Sequence, residues 1–247
     1  MSKFNKNSNT YILLYAVVMT LIFGTLLAFV SESLKEKQKA EVLIEKQKFI
    51  LKAAYGEKGL DGVKKPEITP LYNEIVKVAV VNNQGEPMDT EEAKIKIGKE
   101  YKKSKDSRAL PIYIVGKKDN PSEVESYVMP VYGKGLWDFI WAYVALDADL
   151  KTIEGIVFDH VGETPGLGAR ITDASVQERF VGKELNFASN TVDAPDFQKG
   201  EGTDYSSSPY KVDGLSGATI TAKGVNDMLD DYLAMYLPYI NQNREKQ

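Results

Sequence analysis

The 247-residue chain has no cysteine and a single histidine, His160. Without thiols it has no disulfide, no cysteine nucleophile and no cysteine-held zinc or iron–sulfur cluster. One imidazole excludes a multi-histidine metal centre and obliges any Ser-His-Asp hydrolase to use His160. Redox chemistry has to ride on an organic cofactor. Positive excess is missing too: 31 Lys and Arg against 35 Asp and Glu give a net charge of −4, which argues against a nucleic-acid partner. The glycine loops match neither Gly-x-Gly-x-x-Gly nor a P-loop ending in Gly-Lys-Ser/Thr, which disfavours nucleoside triphosphate chemistry.

Charge is absent over one long stretch, from Lys6 to Glu32, and residues 11–30 form a continuous apolar run. A helix of about 20 residues spans the hydrocarbon core of a bilayer, so lipid is an expected neighbour. A cleaved signal would have a shorter core and a small-x-small site, and neither is present. The expected organisation is a tail (1–10), a transmembrane helix (11–30), a charge-rich connecting helix (31–55) and one domain (56–247). Lys3 and Lys6 precede the span while Lys35, Lys37, Lys39, Lys46 and Lys48 follow it. That count favours a cytoplasmic C-terminus, but long domains translocate largely regardless of charge.

The remainder reads as a single α+β domain. Strand patterns occur at residues 75–81, 110–115, 126–132, 139–146 and 153–158, the first ending in Asn82-Asn-Gln-Gly85. Residues 56–70 carry loop punctuation, 92–102 suit a short polar helix, and 188–210 read as a surface excursion. Val225, Met228, Leu229, Tyr232, Leu233, Tyr236 and Leu237 recur at three- and four-residue steps, the core-facing stripe of a C-terminal helix.

Two segments carry chemistry. In Asp213-Gly-Leu-Ser-Gly-Ala-Thr-Ile-Thr221, glycines and hydroxyls stand just before that helix. Helix N-terminal amides point outward unpaired and suit a phosphate; an ordinary N-cap needs the same residue types. In His160-Val-Gly-Glu-Thr-Pro-Gly-Leu-Gly168-Ala-Arg170, three glycines and a proline end a strand. The segment is either a structural turn or a loop shaped around a ligand.

Together with Tyr132-Gly-Lys-Gly-Leu-Trp-Asp138, these segments resemble the FMN-binding domain of membrane redox complexes. The likeness is to the C subunit of the Na(+)-translocating NADH:quinone oxidoreductase more than to the G subunit of Rnf-type complexes, and it covers nearly the whole chain. It implies an α+β fold with a mostly antiparallel sheet behind one N-terminal transmembrane helix. It also implies FMN attached covalently, by its phosphate, to Thr219, with Thr221 as the second candidate acceptor, N-cap or phosphate donor. Ser216, Gly217 and Ala218 complete the acceptor motif. Glu163, Thr164, Gly166, Leu167 and Gly168 are expected against the flavin, with Leu136 and Trp137 near it or anchoring the core. A threonine hydroxyl is a weak nucleophile, so a separate flavin transferase is the implied partner, beside the rest of the complex. The implied role is electron relay in a bacterial inner membrane, with the domain in the periplasm. Three other readings remain: the Rnf-type counterpart, a membrane-anchored sensor domain without covalent flavin, and a hydrolase using Ser216 or Thr219 with His160. The last lacks the Gly-x-Ser-x-Gly elbow.

Overall fold

The computed structural model describes residues 8–188 and 191–244 and divides into two compact units, residues 1–46 and 47–247. The first unit holds most of helix α1 (Asn9–Tyr55), which contains a segment long and apolar enough to cross a membrane. Leu13, Leu27 and Phe29 there are exposed, as lipid-facing side chains are. The helix runs unbroken through residues 30 and 31.

The second unit begins with the last turns of α1 and is built on a five-stranded antiparallel meander: β1 (Val76–Val81), β2 (Leu110–Gly116), β3 (Val124–Lys134), β4 (Phe139–Asp147) and β5 (Ile153–His160). Side chains alternate between faces along a strand. Ile140, Ala142, Val144 and Leu146 of β4 enter the main core, while Tyr143 meets Phe49 from the end of α1. That end buries Ile50, Leu51, Ala53 and Ala54, and a Cβ on Gly155 would overlap the Ala53 carbonyl.

A short helix, α4 (Ala174–Gln177), follows the sheet, and against the main core lies helix α5 (Thr219–Arg244), whose Val225, Met228, Leu229, Tyr232, Leu233 and Tyr236 are buried. Fully burying a large apolar side chain contributes roughly 1.5–3 kcal/mol. Glycines set the approach: a Cβ on Gly133 would lie 2.7 Å from Met228 Cβ, and one on Gly224 would overlap the Lys134 carbonyl. The start of α5 is thus fixed over the β3–β4 turn.

Three expectations need correction. Residues 56–70 are not all loop, because α2 (Lys65–Ile75) starts there. Pro66 stands in its first turn, where no amide partner is needed, and Glu67 Oε2 accepts the Lys64 amide at 2.9 Å. The polar helix at 92–102 is broken into a 3-10 turn (Glu92–Lys94) and α3 (Ile97–Glu100). The excursion at 188–210 is docked rather than free. It contains β7 (Thr191–Asp193), paired with β6 (Asn186–Ala188), and β8 (Asp196–Phe197), parallel to β9 (Lys211–Val212). Val192, Ala194 and Phe197 are buried. Asp230 and Asn226 of α5 accept the amides of Ala194 and Phe197 at 2.8 and 2.9 Å.

Candidate functional site

At the N-terminus of α5 the chain turns through Leu215-Ser216-Gly217-Ala218. Ala218 N donates to Leu215 O at 3.2 Å. Gly217 has φ +75°, the left-handed region that glycine enters without strain, and a Cβ there would sit 2.8 Å from Leu167 Cδ2. Leu215, Ala218 and Ala222 are buried, whereas Ser216, Gly217, Thr219 and Ile220 are exposed. Among the described residues nothing accepts from the amides of Thr219, Ile220 and Thr221, and the Thr219 hydroxyl has no hydrogen bond. Thr219 therefore presents a free hydroxyl amid unpaired donors at the positive end of a 26-residue helix.

Thr221 is different. It lies inside the first turn, is 1% exposed and donates its hydroxyl to Glu163 Oε2 at 2.6 Å, so it is not the N-cap. The 160–170 loop folds over this turn. Thr164 O accepts from Leu167 N and Ala169 N at 3.1 and 3.2 Å, and Gly166 has φ +75° with open space beside it. Trp137 Nε1 donates to Thr164 Oγ1 at 3.1 Å. The Trp137 ring stays outside the core, 71% exposed, and Leu136, Leu167 and Ile220 are also exposed. Glu163, expected at the flavin surface, is instead buried beneath the loop.

Nearby, Arg170 donates to both oxygens of Glu201 at 2.9 and 2.5 Å, and Arg179 donates to Oε1 at 3.0 Å. Glu201 Oε2 also accepts Ser216 N at 3.0 Å, which ties it directly to the turn before α5. The Arg170 and Arg179 guanidinium groups, with the Ser216 amide, hold the Glu201 carboxyl well below the usual carboxylate range. Arg179 also donates to the Asp213 and Gly214 carbonyls at 3.1 and 2.7 Å, while Asp213 accepts the Gly202 and Thr203 amides at 2.9 and 3.0 Å. The sequence reading missed Arg179 and Glu201. Their one signal is Gly200-Glu201-Gly202, a carboxylate between glycines of φ +83° and +95°.

His160, at the end of β5, accepts the Glu163 amide on Nδ1 at 3.3 Å, and neither Ser216 nor Thr219 hydrogen-bonds to it. Burial raises the pKa of the neighbouring Asp159 carboxyl. A cleft of about 220 Å³ opens beside Thr219, between residues 197–200 and the first turns of α5. These residues fit FMN: open amides for a phosphate, a free hydroxyl, and exposed apolar side chains around the turn for a planar ring.

Comparisons with known proteins point to FMN as well. A model of the FMN-binding domain matches residues 135–234. The C subunit of the Na(+)-translocating NADH-quinone reductase of Haemophilus ducreyi is 34% identical over 238 residues, 92% of this chain and 90% of that protein. Its Vibrio parahaemolyticus counterpart is 32% identical over 87% of each chain. The crystal structure of the C subunit from Parabacteroides distasonis superimposes with a TM-score of 0.69 at 30% identity, covering 84% of this chain and 96% of that one. Shewanella oneidensis NqrC gives 0.66 at 28% identity, covering 81% and 97%. With the matched domain enclosing the Thr219 turn and the likeness running through most of the chain, this protein belongs to the family of C subunits of the Na(+)-translocating NADH-quinone reductases.

Proposed function

We propose that this chain is the electron carrier of a membrane complex that oxidises NADH, reduces quinone and moves Na⁺, with FMN joined to Thr219 as a phosphoester. The observation carrying this reading is the exposed Thr219 hydroxyl, unpaired, at the head of a helix whose first amides are open. When bound, FMN supplies the capacity to take up electrons and pass them on singly.

The chain's own residues do the rest. The open amides and helix dipole favour the phosphodiester anion by about 0.3–1 kcal/mol. Gly217 keeps the turn free of a side chain beside Leu167. Leu136, Trp137, Leu167 and Ile220 offer apolar cover for a ring. Thr221 is disfavoured as acceptor because its hydroxyl is buried and already bonded to Glu163. A flavin transferase is the partner that installs the group, since among the described residues no base hydrogen-bonds the Thr219 hydroxyl and a threonine hydroxyl is a weak nucleophile on its own. Residues 11–30 would sit in lipid, with the domain in the periplasm. Protease digestion of intact spheroplasts checks that placement: cleavage within residues 47–247 supports it, and full protection refutes it.

The deciding experiment is in-gel flavin fluorescence after denaturing electrophoresis of the full chain co-expressed with an active transferase. Wild type is expected to fluoresce and Thr219→Ala to be dark. Fluorescence surviving in Thr219→Ala moves the acceptor, and a dark wild type refutes the covalent reading.

A further inference from the structure

The three motifs of the site converge on one buried carboxylate. Glu163 is 3% exposed. Oε1 accepts the Trp137 amide at 3.0 Å, and Oε2 accepts the Thr221 hydroxyl at 2.6 Å. The segments 132–138, 162–168 and 213–221 are thus joined through a single side chain. A Cβ on Gly135 would overlap Oε1, and one on Gly168 would overlap Oε2 and lie 2.6 Å from Thr221 Oγ1. Both glycines leave room for that carboxylate.

Among the described residues neither a lysine nor an arginine pairs with Glu163. A carboxylate buried among neutral donors carries a desolvation cost. Glutamine would satisfy the same partners: its oxygen would accept from Trp137 N, and its amide would donate to the Thr221 oxygen, since a hydroxyl serves either role. Joining the segments therefore needs the shape, whereas the charge needs another reason. It sits under the first turn of α5, bonded two positions from Thr219, at the positive end of the dipole.

We propose that Glu163 is a positioning residue of the FMN site. It locks the three segments in register before the cofactor arrives, and its negative charge lowers the reduction potential of a flavin carried on Thr219. The second half rests on the covalent-FMN reading. Reduction adds electrons to the ring, and a fixed anion nearby opposes that addition.

The test uses full-length protein in detergent, as wild type, Glu163→Gln and Glu163→Ala. In the flavin-free state, hydrogen exchange is read at the Trp137 amide. Glu163→Ala is expected to exchange about tenfold faster or more, and Glu163→Gln to stay near wild type. Unchanged exchange in Glu163→Ala overturns the register claim. In the flavin-loaded state, Glu163→Gln is expected to show wild-type in-gel fluorescence and a higher midpoint potential by dye-equilibrated titration. An equal or lower potential overturns the charge claim. A wild type without covalent flavin removes the reading beneath that claim and the claim with it, while the exchange result still decides register.

Discussion

Two glutamates hold the turn at the head of α5 at two points, by opposite physics. Glu163 is sealed beneath it, bonded to an amide and a hydroxyl, with glycines cut away around its oxygens. Glu201 stays 20% exposed at its side chain, gripped by Arg170 and Arg179 and accepting Ser216 N. One point is held by fit and the other by charge. Fit fails when volume changes; charge fails when salt or acid screens or neutralises it.

The sharpest break of this contrast is by volume on the charged side. A Cβ at Gly214 would overlap the carbonyls of Gln198 and Gly200, which belong to backbone and cannot swing away. Gly214→Ala is expected to cost about 3 kcal/mol or more, read as a large fall in melting temperature. Gly168→Ala meets the far end of the Glu163 side chain, with Thr221 Oγ1 2.6 Å away, and should cost about 1–3 kcal/mol. Equal losses would show that the Glu163 pocket is as unyielding as backbone.

Next in size is Glu201→Ala, expected to lose about 2 kcal/mol in urea unfolding at low salt. That loss should shrink in 1 M NaCl, where the screening length falls to about 3 Å, while the Gly168→Ala loss stays put. Acid provides the companion test. The folded Glu201 carboxyl titrates below its unfolded value, so the folded state binds fewer protons. Its stabilisation is therefore complete above the unfolded value of about 4.3 and fades as pH drops toward the depressed folded value. The advantage of wild type over Glu201→Gln should persist at pH 7 and diminish below about pH 4. An advantage independent of pH would mean that the carboxyl's shape, not its ionisation, holds the turn.

The sheet was legible in the sequence because the five expected strands each fall on a strand of the meander. The C-terminal helix announced itself through the stripe from Val225 to Leu237. Helix α2 did not, since Pro66 and Pro70 read as breakers although the first occupies a tolerated position. Nor did the docking of residues 191–197, whose amide partners are Asp230 and Asn226 on a helix about thirty residues away. At the site, Thr219 and the glycine loop were visible as motifs. The depth of Glu163 was not, because Gly-Glu-Thr-Pro looks the same whether its carboxylate faces solvent or core. Glu201 was marked only by its flanking glycines: its arginines come from a separate segment, and pairing between distant charges adds no local pattern.

A small perturbation completes the contrast. Lys223 pairs with Asp227 on α5, one turn past Thr219, with side chains 72% and 62% exposed. Solvent and salt screen such an i,i+4 pair, so Lys223→Ala should cost no more than about 0.5 kcal/mol. It carries the same kind of charges as the Glu201 clamp and borders the cleft beside Thr219. What it lacks is partial burial and a second cation. If urea unfolding gave Lys223→Ala and Glu201→Ala equal losses, burial and bidentate geometry would add nothing, and any ion pair near the turn would serve. A loss several-fold smaller for Lys223→Ala would assign the strength of the clamp to Arg170 and Arg179 closing on one carboxylate.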